Sequence, residues 1–325
     1  MTAKDNTGTK RPLIILTGPT AVGKTALSIG LAKAIQGEII SADSMQVYRG
    51  MDIGTAKITK EQMDGVPHHL IDIMDPSDSF HVMAFQQKCK EAMEDIYARH
   101  KIPILVGGTG FYIQSVLYDI SFTETDTDIE YRQELQKIAE EQGGYVLHAR
   151  LAKIDPEAAD EIHPNNVKRV IRALEFNHQT GEKISIHNEQ ERQKKSPYQF
   201  RYYVLSLPRE ILYDRINRRV DMMRRDGLVD EVKGLLQQGI TPNMVSMQGL
   251  GYKEIIDALQ GSCSFEEAFE RIKRETRHFA KRQFTWFRRE RDVTWIDKET
   301  YENEDAILRY MIEDLKNAHI LPADQ

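Results

Sequence analysis

The sequence predicts an α/β protein with a parallel sheet core, a mostly helical insertion and a helical C-terminal region. Three observations support this fold class. Short apolar runs alternate with helical patterns over the first 118 residues, as expected for parallel strands covered by helices on both faces. A glycine-rich loop follows the first apolar run. Residues 119–200 are rich in Glu, Gln, Lys and Arg and contain no strand-like run.

Three apolar runs, at residues 13–17, 38–42 and 102–106, are predicted as buried strands. Helical patterns cover residues 25–35 and 76–99 between them. Ligands of parallel sheets bind at the carboxyl ends of the strands. We therefore expect a binding site in the loops that follow the three runs.

The second half of the chain returns to the core after the insertion. Residues 202–207 (YYVLSL) predict another strand, and the pattern from Arg209 onward is helical, with breaks at Thr241-Pro242 and at residues 249–251. This gives a first core segment (1–118), the helical insertion (119–200) and a segment (201–325) that rejoins the core and ends in basic helices.

Residues 18–25 (GPTAVGKT) match the phosphate-binding pattern G-x-x-x-x-G-K-[ST]. Glycines let successive backbone N–H groups turn inward, and the following helix N-terminus adds partial positive charge. The Lys of the pattern supplies a charge for the terminal phosphate, and the last hydroxyl suits Mg²⁺. The core is therefore predicted to be P-loop NTPase-like, with a polyphosphate held by Gly18, Pro19, Thr20, Ala21, Val22, Gly23, Lys24 and Thr25.

Two polar residues follow the other predicted strands. Asp43 comes directly after the second strand, where a carboxylate could bind Mg²⁺, act as a general base or cap the next helix. Thr109 lies in the turn Gly-Gly-Thr-Gly after the third strand. Its hydroxyl would reach the same edge, although such a turn is equally expected where the backbone simply needs glycine.

Histidines and cysteines do not predict a metal site. His68 and His69 are adjacent, so in a strand they point to opposite faces and cannot both bind one ion without distortion. We expect a structural or substrate-edge role for them. Cys89 and Cys263 belong to no CxxC or Cys/His cluster, which favours reduced thiols over a disulfide or zinc site.

Charge is unevenly distributed although the net charge is −6. Residues 269–291 contain nine Lys/Arg and three Glu, and residues 165–220 contain twelve basic and six acidic residues. A solvated surface helix would explain a charge run, but this imbalance favours binding to a phosphate backbone. On the predicted helix 265–289, Ile272, Phe279 and Trp286 form an expected apolar stripe. The expected RNA-contacting residues of this helix are Arg274, Arg277, Lys281, Arg282 and Arg288.

Targeting signals are not evident. The first twelve residues are polar, and the longest apolar runs are far too short to span a bilayer. We expect a cytoplasmic protein that does not bind membranes.

Several motifs together resemble the bacterial tRNA dimethylallyltransferases, the isopentenyl-diphosphate:tRNA transferases of the IPP transferase family. They are GPTAVGKT at 18–25, DSMQVY at 43–48, DIGTAK at 52–57, HHLID at 68–72, GGTGFY at 107–112, IHPNN at 162–166, RALE at 172–175, GLGYKE at 249–254, AKRQ at 280–283 and TWFR at 285–288. The resemblance covers essentially the whole chain. It departs at Val22 and Ile58, where the family usually has Ser and Pro.

The resemblance implies transfer of a dimethylallyl group from dimethylallyl diphosphate to N6 of adenosine-37 in tRNA. The diphosphate would bind residues 18–25, with Mg²⁺ as cofactor at Thr25. Asp43 matches the family residue that acts as the base, or else mainly anchors the target adenine, and Thr109 and Arg219 match positions near the diphosphate. The implied catalytic residues are therefore Asp43, Thr109 and Arg219.

The resemblance also implies a path for the anticodon stem-loop of tRNA, which together with dimethylallyl diphosphate is the expected partner of a monomeric enzyme. Residues expected to line this path are Asp43, Ser44, Met45, Gln46, Thr109, Arg132, Lys168, Arg169, Val170, Ile171, Arg172, Gly251, Tyr252 and Lys253.

The main alternative is a P-loop kinase or NTPase that acts on a small metabolite. Such enzymes typically add an apolar strand that ends in a magnesium-binding Asp. The third predicted strand ends instead in Gly107-Gly108, although Asp43 could take that role. An RNA-binding module without catalysis would leave the phosphate loop unexplained.

Overall fold

The computed structural model describes residues 10–122 and 129–322. Within them, six strands form one sheet in the order β3-β2-β4-β1-β5-β6, and every neighbouring pair is parallel. The strands are β1 (Pro12–Thr17), β2 (Glu38–Ala42), β3 (His68–His69), β4 (Pro103–Gly107), β5 (Gln199–Ser206) and β6 (Val293–Asp297). The α/β fold class predicted from the sequence is confirmed.

Helices and loops connect the strands and make up the rest of the described chain. They are α1 (Lys24–Ile35), α2 (Lys60–Met63), α3 (Val82–Ala98), α4 (Gly110–Leu117), α5 (Ile129–Gln142), α6 (Gly144–Ile154), α7 (Pro156–Glu161), α8 (Val167–Thr180), α9 (Ile184–Gln193), α10 (Arg209–Asp226), α11 (Leu228–Gln237), α12 (Tyr252–Leu259), α13 (Phe265–Phe287) and α14 (Glu304–Asn317). Short 3₁₀ turns span Val245–Gln248 and Lys298–Thr300. In the described residues, no helix is long and apolar enough to cross a membrane.

The core forms around the central strand β1, whose apolar residues are fully buried because helices cover both faces of the sheet. Leu27 and Leu31 of α1 belong to the same apolar cluster as Ile14 of β1 and Met311 of α14. This packing holds α1 firmly against the sheet. The loop between β1 and α1 is therefore fixed at both ends.

The chain divides into two compact units. The first contains the residues before Tyr118 and those after Ser196, and includes the whole sheet. The second, Tyr118–Ser196, contains α5 to α9 and has its own apolar core, with Leu147, Leu151 and Leu174 at its centre.

Several features differ from the sequence prediction. Strand β5 begins at Gln199, three residues earlier than predicted and inside the segment expected to contain no strand. Helix α3 begins at Val82, six residues later than predicted. The Asp75 carboxylate accepts hydrogen bonds from the N–H and hydroxyl of Ser77, which stabilises a turn instead. Strand β6 was not predicted, because it is a partly exposed edge strand of only five residues inside a largely helical pattern. The expectation for the polar N-terminus falls mainly on residues 1–9, outside the described chain.

Candidate functional site

Three loops that the sequence singled out meet at the carboxyl edge of the sheet. Strand β4 lies between β1 and β2, and Gly107 is in register with both Thr17 and Ala42. The Thr109 N–H donates to the carbonyl oxygen of Ala42 at 3.3 Å. The glycine-rich turn after β4 therefore lies directly beside the residue that precedes Asp43.

The phosphate loop has the backbone geometry that its glycines permit. Gly18 has a φ of +144° and Gly23 a φ of +95°, and a Cβ atom at Gly18 would lie 2.6 Å from the Leu205 carbonyl oxygen. Nζ of Lys24 donates to the carbonyl oxygens of Gly18 at 3.0 Å and Pro19 at 2.9 Å, so the side chain folds back across the loop. Burial, reinforced by the charge of Arg219, lowers the pKa of Lys24 to about 8.

Arg219 reaches the phosphate loop from α10. Its Nη1 donates to the Thr20 hydroxyl at 3.3 Å, and its Nη2 to the Thr55 carbonyl oxygen at 3.4 Å. Burial lowers its pKa, whereas the charge of Asp43 opposes that shift. Arg219 is thus a second cation beside Lys24 at this edge. From the sequence, only the family resemblance predicted this position.

Asp43 caps the turn that follows β2. Its Oδ1 accepts hydrogen bonds from the N–H groups of Met45 at 2.9 Å and Gln46 at 3.4 Å. Within the described residues, Oδ2 accepts no hydrogen bond. Capping and proton transfer, which the sequence left as alternatives, can therefore use different oxygens of one carboxylate.

Glu231 of α11 supports the neighbouring turn and was missed by sequence reasoning. Its Oε2 accepts from the N–H groups of Asp52 and Ile53 at 2.8 and 2.7 Å, and its Oε1 from the Gly54 N–H at 3.1 Å. The Tyr252 hydroxyl donates to Oε1 at 2.6 Å. No local pattern could reveal this contact, because Glu231 and Gly54 are 177 positions apart.

Gln283 of α13 connects two of the three loops and was also missed as a functional residue. Its Oε1 accepts from the Thr20 N–H at 2.9 Å, and its Nε2 donates to the Gly108 carbonyl oxygen at 2.9 Å. The residue is 6% exposed. A polar residue in phase with the buried positions Ala280 and Phe287 is the sequence signal that could have identified it.

The buried face of α13 differs from the predicted apolar stripe. Ile272 is buried, but Trp286 is 36% exposed. A seven-residue repeat drifts by about 20° per heptad on a straight helix, so Trp286 leaves the buried face. The residues that pack inward are Ala268, Phe269, Ile272, Ala280, Gln283 and Phe287.

The predicted basic face of α13 is mostly exposed. Arg274, Lys281, Arg282 and Arg288 are all open to solvent. Arg277 instead turns toward α10, where its Nη1 donates to Oδ1 of Asn217 at 2.6 Å. Arg274 pairs with the neighbouring carboxylate, because its Nε lies 3.2 Å from Oε1 of Glu275. Within the described residues, Lys281, Arg282 and Arg288 form no ion pair, so three of the five cations are available to an external anion.

The helical unit presents part of the predicted tRNA path. Lys168, Arg169 and Arg172 of α8 are exposed, whereas Val170 and Ile171 are buried in the core of this unit. The prediction is corrected for these two apolar side chains, because they alternate with the exposed face of an amphipathic helix. Arg132 forms a two-point ion pair with the buried carboxylate of Glu175, with distances of 2.6 and 2.7 Å.

The remaining predicted tRNA contacts lie in two short segments. Ser44, Met45 and Gln46 are partly exposed beside Asp43, and Gln46 Nε2 donates to the Thr55 carbonyl oxygen at 3.4 Å. Lys253 is exposed at the start of α12, after Gly251, which is buried and has a φ of +96°. The Tyr252 side chain is buried against Gly54, which corrects its assignment as a tRNA contact.

The adjacent histidines have structural partners. His69 Nε2 lies 2.8 Å from Oε2 of Glu38, and His68 Nδ1 lies 2.8 Å from the Val66 carbonyl oxygen. Burial alone would raise the pKa of Glu38, but its bonds to Arg99, His69 and Lys101 hold it at about 2. The described residues contain no cluster of three or more His, Cys, Asp or Glu side chains placed to hold a metal ion. Both cysteines are free thiols.

Sequence profiles of two related families match this chain. A profile described as IPP transferase matches residues 46–290, and one described as isopentenyl transferase matches residues 12–79. The chain is 58% identical over 311 residues to a tRNA dimethylallyltransferase of Lachnoclostridium phytofermentans, which covers 96% of this chain and 99% of that protein. It is 53% identical to a tRNA dimethylallyltransferase of Bacillus pumilus, over 89% of this chain and 90% of that protein.

Solved structures show the same similarity. A full-length tRNA isopentenylpyrophosphate transferase from Bacillus halodurans superposes with a TM-score of 0.71 at 47% identity, covering 96% of this chain and 99% of that one. A eukaryotic dimethylallyltransferase acting on tRNA gives a TM-score of 0.79 at 31% identity, covering 97% of this chain and 81% of that one.

Proposed function

This chain belongs to the IPP transferase family, and we propose that it transfers a dimethylallyl group from dimethylallyl diphosphate to N6 of adenosine-37 in tRNA. The chain is a prenyltransferase of tRNA. The structural observation that supports the full reaction is the meeting of the phosphate loop, Asp43 and Thr109 at one sheet edge.

The reaction is a substitution at the allylic carbon. The N6 amine forms the new C–N bond, the C–O bond to diphosphate breaks, and the amine loses one proton. An aromatic amine is a weak nucleophile, so a base is needed as positive charge develops on nitrogen. Asp43 is proposed to take this proton on Oδ2, while Oδ1 holds the turn through the Met45 and Gln46 N–H groups.

Departure of the diphosphate requires groups that stabilise its growing negative charge. The loop of residues 18–25 is proposed to bind it through backbone N–H groups, with Lys24 and Arg219 as cations. Both cations border the loop. Lys24 donates to the Pro19 carbonyl oxygen, and Arg219 donates to the Thr20 hydroxyl. Thr109 is proposed to add a hydroxyl from the turn after β4.

Mg²⁺ is the proposed cofactor. In phosphate loops of this pattern the hydroxyl after the lysine binds Mg²⁺, and substrate phosphates and water complete the coordination shell. Thr25 fits this requirement, because it is exposed in the first turn of α1 beside Lys24. The ion would neutralise the negative charge of the diphosphate, and the Thr25 hydroxyl would hold the ion in position.

The tRNA is proposed to contact the exposed cations of α13 and the helical unit. Arg274, Lys281, Arg282 and Arg288 can each meet a phosphate. The target adenine must leave the anticodon stack, at a cost of a few kcal/mol that such contacts offset. We further propose that the enzyme acts in the cytoplasm and that it is a monomer. The mass of the purified protein in solution would test the monomeric state.

A kinase or NTPase activity is not favoured. Strand β4 ends in glycines, and Asp43 is held in a turn by backbone N–H groups. The similarity to tRNA-modifying enzymes covers nearly the whole chain.

The deciding experiment combines purified protein, Mg²⁺, a tRNA with adenosine at position 37, and either labelled dimethylallyl diphosphate or labelled ATP. Label from the allylic donor should enter the tRNA, and a tRNA with guanosine at position 37 should stay unlabelled. Phosphate transfer from ATP without prenylation would refute the proposal.

A further inference from the structure

Two large aromatic side chains are exposed beside the glycine-rich turn. Phe111 of α4 is 41% exposed and Trp286 of α13 is 36% exposed. Their ring centroids lie 6.2 Å apart at an interplanar angle of 68°, an edge-to-face pair. Neither takes part in the chemistry proposed above. Tryptophan is enriched at interfaces, because it combines a large apolar ring with a polar N–H.

Trp286 is held in one orientation. A Cβ atom at Gly110 would lie 2.2 Å from Cδ1 and Nε1 of its indole, so the ring packs directly on the glycine backbone. The Glu290 side chain, one turn further along, lies close to the Trp286 side chain. A ring fixed in this way loses little freedom when a flat ligand stacks on it.

The surface around Trp286 is cationic. A groove of about 430 Å³ runs along α13, and its lining residues are His278, Lys281, Arg282, Thr285, Trp286 and Arg289. Three of these six are Lys or Arg, and the nearby carboxylates are Glu275, 3.4 Å from Nδ1 of His278, and Glu290, next to the indole. Cations beside an exposed aromatic ring are the combination that binds single-stranded nucleotides, because phosphates meet the cations and a base stacks on the ring.

The groove lies beside the reaction centre. Trp286 contacts Gly110, and the N–H of its neighbour Thr109 bonds to Ala42, which precedes Asp43. This chain of contacts places the ring at the same edge of the sheet as Asp43, the edge to which an RNA would deliver its adenine. When one base leaves the stack, its neighbours lose a stacking partner.

We propose that Trp286, flanked by Phe111, is a stacking platform for the base of a tRNA nucleotide adjacent to the target adenosine. The phosphates of that segment meet Lys281, Arg282 and Arg289. This inference rests on the proposed function and identifies a substrate contact within it. The platform replaces the stacking that the neighbouring base loses when adenosine-37 turns out.

The chain has two tryptophans, Trp286 and Trp295, so fluorescence can observe the platform directly. Trp295→Phe leaves Trp286 as the sole tryptophan and keeps an aromatic ring against Phe284, on which Trp295 stacks. Adding an anticodon stem-loop without the allylic donor should quench this emission. The matched Trp286→Phe variant, which retains Trp295, should show little change.

Affinity provides the second readout. Trp286→Ala should weaken stem-loop binding about 5- to 150-fold, the range expected for one stacked base, and Trp286→Tyr should restore most of it. A stem-loop with an abasic nucleotide beside the target adenosine should bind wild type more weakly and be insensitive to Trp286→Ala. Thermal unfolding of each variant controls for folding.

Unchanged Trp286 emission at saturating stem-loop, together with equal affinity of the Tyr, Ala and wild-type proteins, would overturn the platform. In that case prenylation of tRNA by the wild type would leave the proposed function intact. A wild type that neither binds nor prenylates the stem-loop would instead overturn the proposed function itself.

Discussion

The side-chain oxygen of Gln283 accepts a hydrogen bond from the Thr20 N–H at 2.9 Å, which joins helix α13 to the phosphate loop. The same amide donates to the Gly108 carbonyl oxygen. One buried side chain therefore sets the spacing between the loop after β1 and the turn after β4. Lys24 and Thr109, both proposed to contact the diphosphate, lie on the two sides of this bridge.

Replacing Gln283 by Met should lower kcat/KM for dimethylallyl diphosphate about tenfold or more. The Thr20 N–H and the Gly108 carbonyl would lose their partner, and each unsatisfied buried group costs about 1–3 kcal/mol. Steady-state kinetics should show this loss while the tRNA dissociation constant stays within about twofold of wild type. Thr276→Val, which removes a hydroxyl bonded within the same helix, is the matched control. Equal kinetic losses in both variants would show that α13 is merely destabilised.

Asp43→Asn should reduce kcat by about 10² to 10⁴, the usual contribution of a positioned base. The amide oxygen can still accept from the Met45 N–H, so the turn and tRNA affinity should be retained. Asp43→Ala removes both roles and should lose at least as much rate. Single-turnover prenylation and stem-loop binding measure the two effects separately. If Asp43→Asn lost tRNA binding in proportion to rate, Asp43 would be an anchor for the adenine and not the base.

Binding of dimethylallyl diphosphate should weaken as pH rises above about 8. The pKa of Lys24 in the free protein is lowered to about 8, so above that pH the side chain becomes neutral and loses its attraction for diphosphate. The affinity is fully present below this pKa, and the bound anion should raise the pKa again. Calorimetric titration between pH 7 and pH 9.5 should show that the affinity for dimethylallyl diphosphate falls at a rate that approaches about tenfold per pH unit at the upper end of this range. Lys24→Met should bind weakly with a much flatter pH profile, and a wild-type profile equally flat would contradict the assignment.

The affinity for the anticodon stem-loop should depend steeply on salt. Each phosphate contact contributes about 0.7 to 0.9 to the slope of log K against log salt. Removing Lys281 or Arg288 should reduce that slope by about one contact each. Arg277→Ala should change it little, because this guanidinium bonds to Asn217. A wild-type slope near zero would show that α13 is a solvated surface helix and not an RNA contact.

The sequence predicts the position of a site residue best where that residue directly follows a strand. The phosphate loop, Asp43 and Thr109 each follow a buried apolar run, and parallel pairing brings those ends to one edge. Gln283 accepts a hydrogen bond from a backbone group 263 positions away, and Glu231 accepts one from a backbone group 179 positions away. Only the folded chain reveals contacts over such separations. The apolar stripe predicted for α13 includes Trp286, which the structure exposes, because a strict heptad ignores the drift of a straight helix.

Helix α13 faces two ways, with exposed cations on one side and the Gln283 amide bonded to the phosphate loop on the other. Any shift of this helix on contact with RNA must move the acceptor of the Thr20 N–H, or break that bond. Such a shift would link the occupancy of the nucleic acid thermodynamically to that of the allylic donor. Linkage is reciprocal, so the factor by which tRNA changes the dissociation constant of the donor equals the factor by which the donor changes that of tRNA.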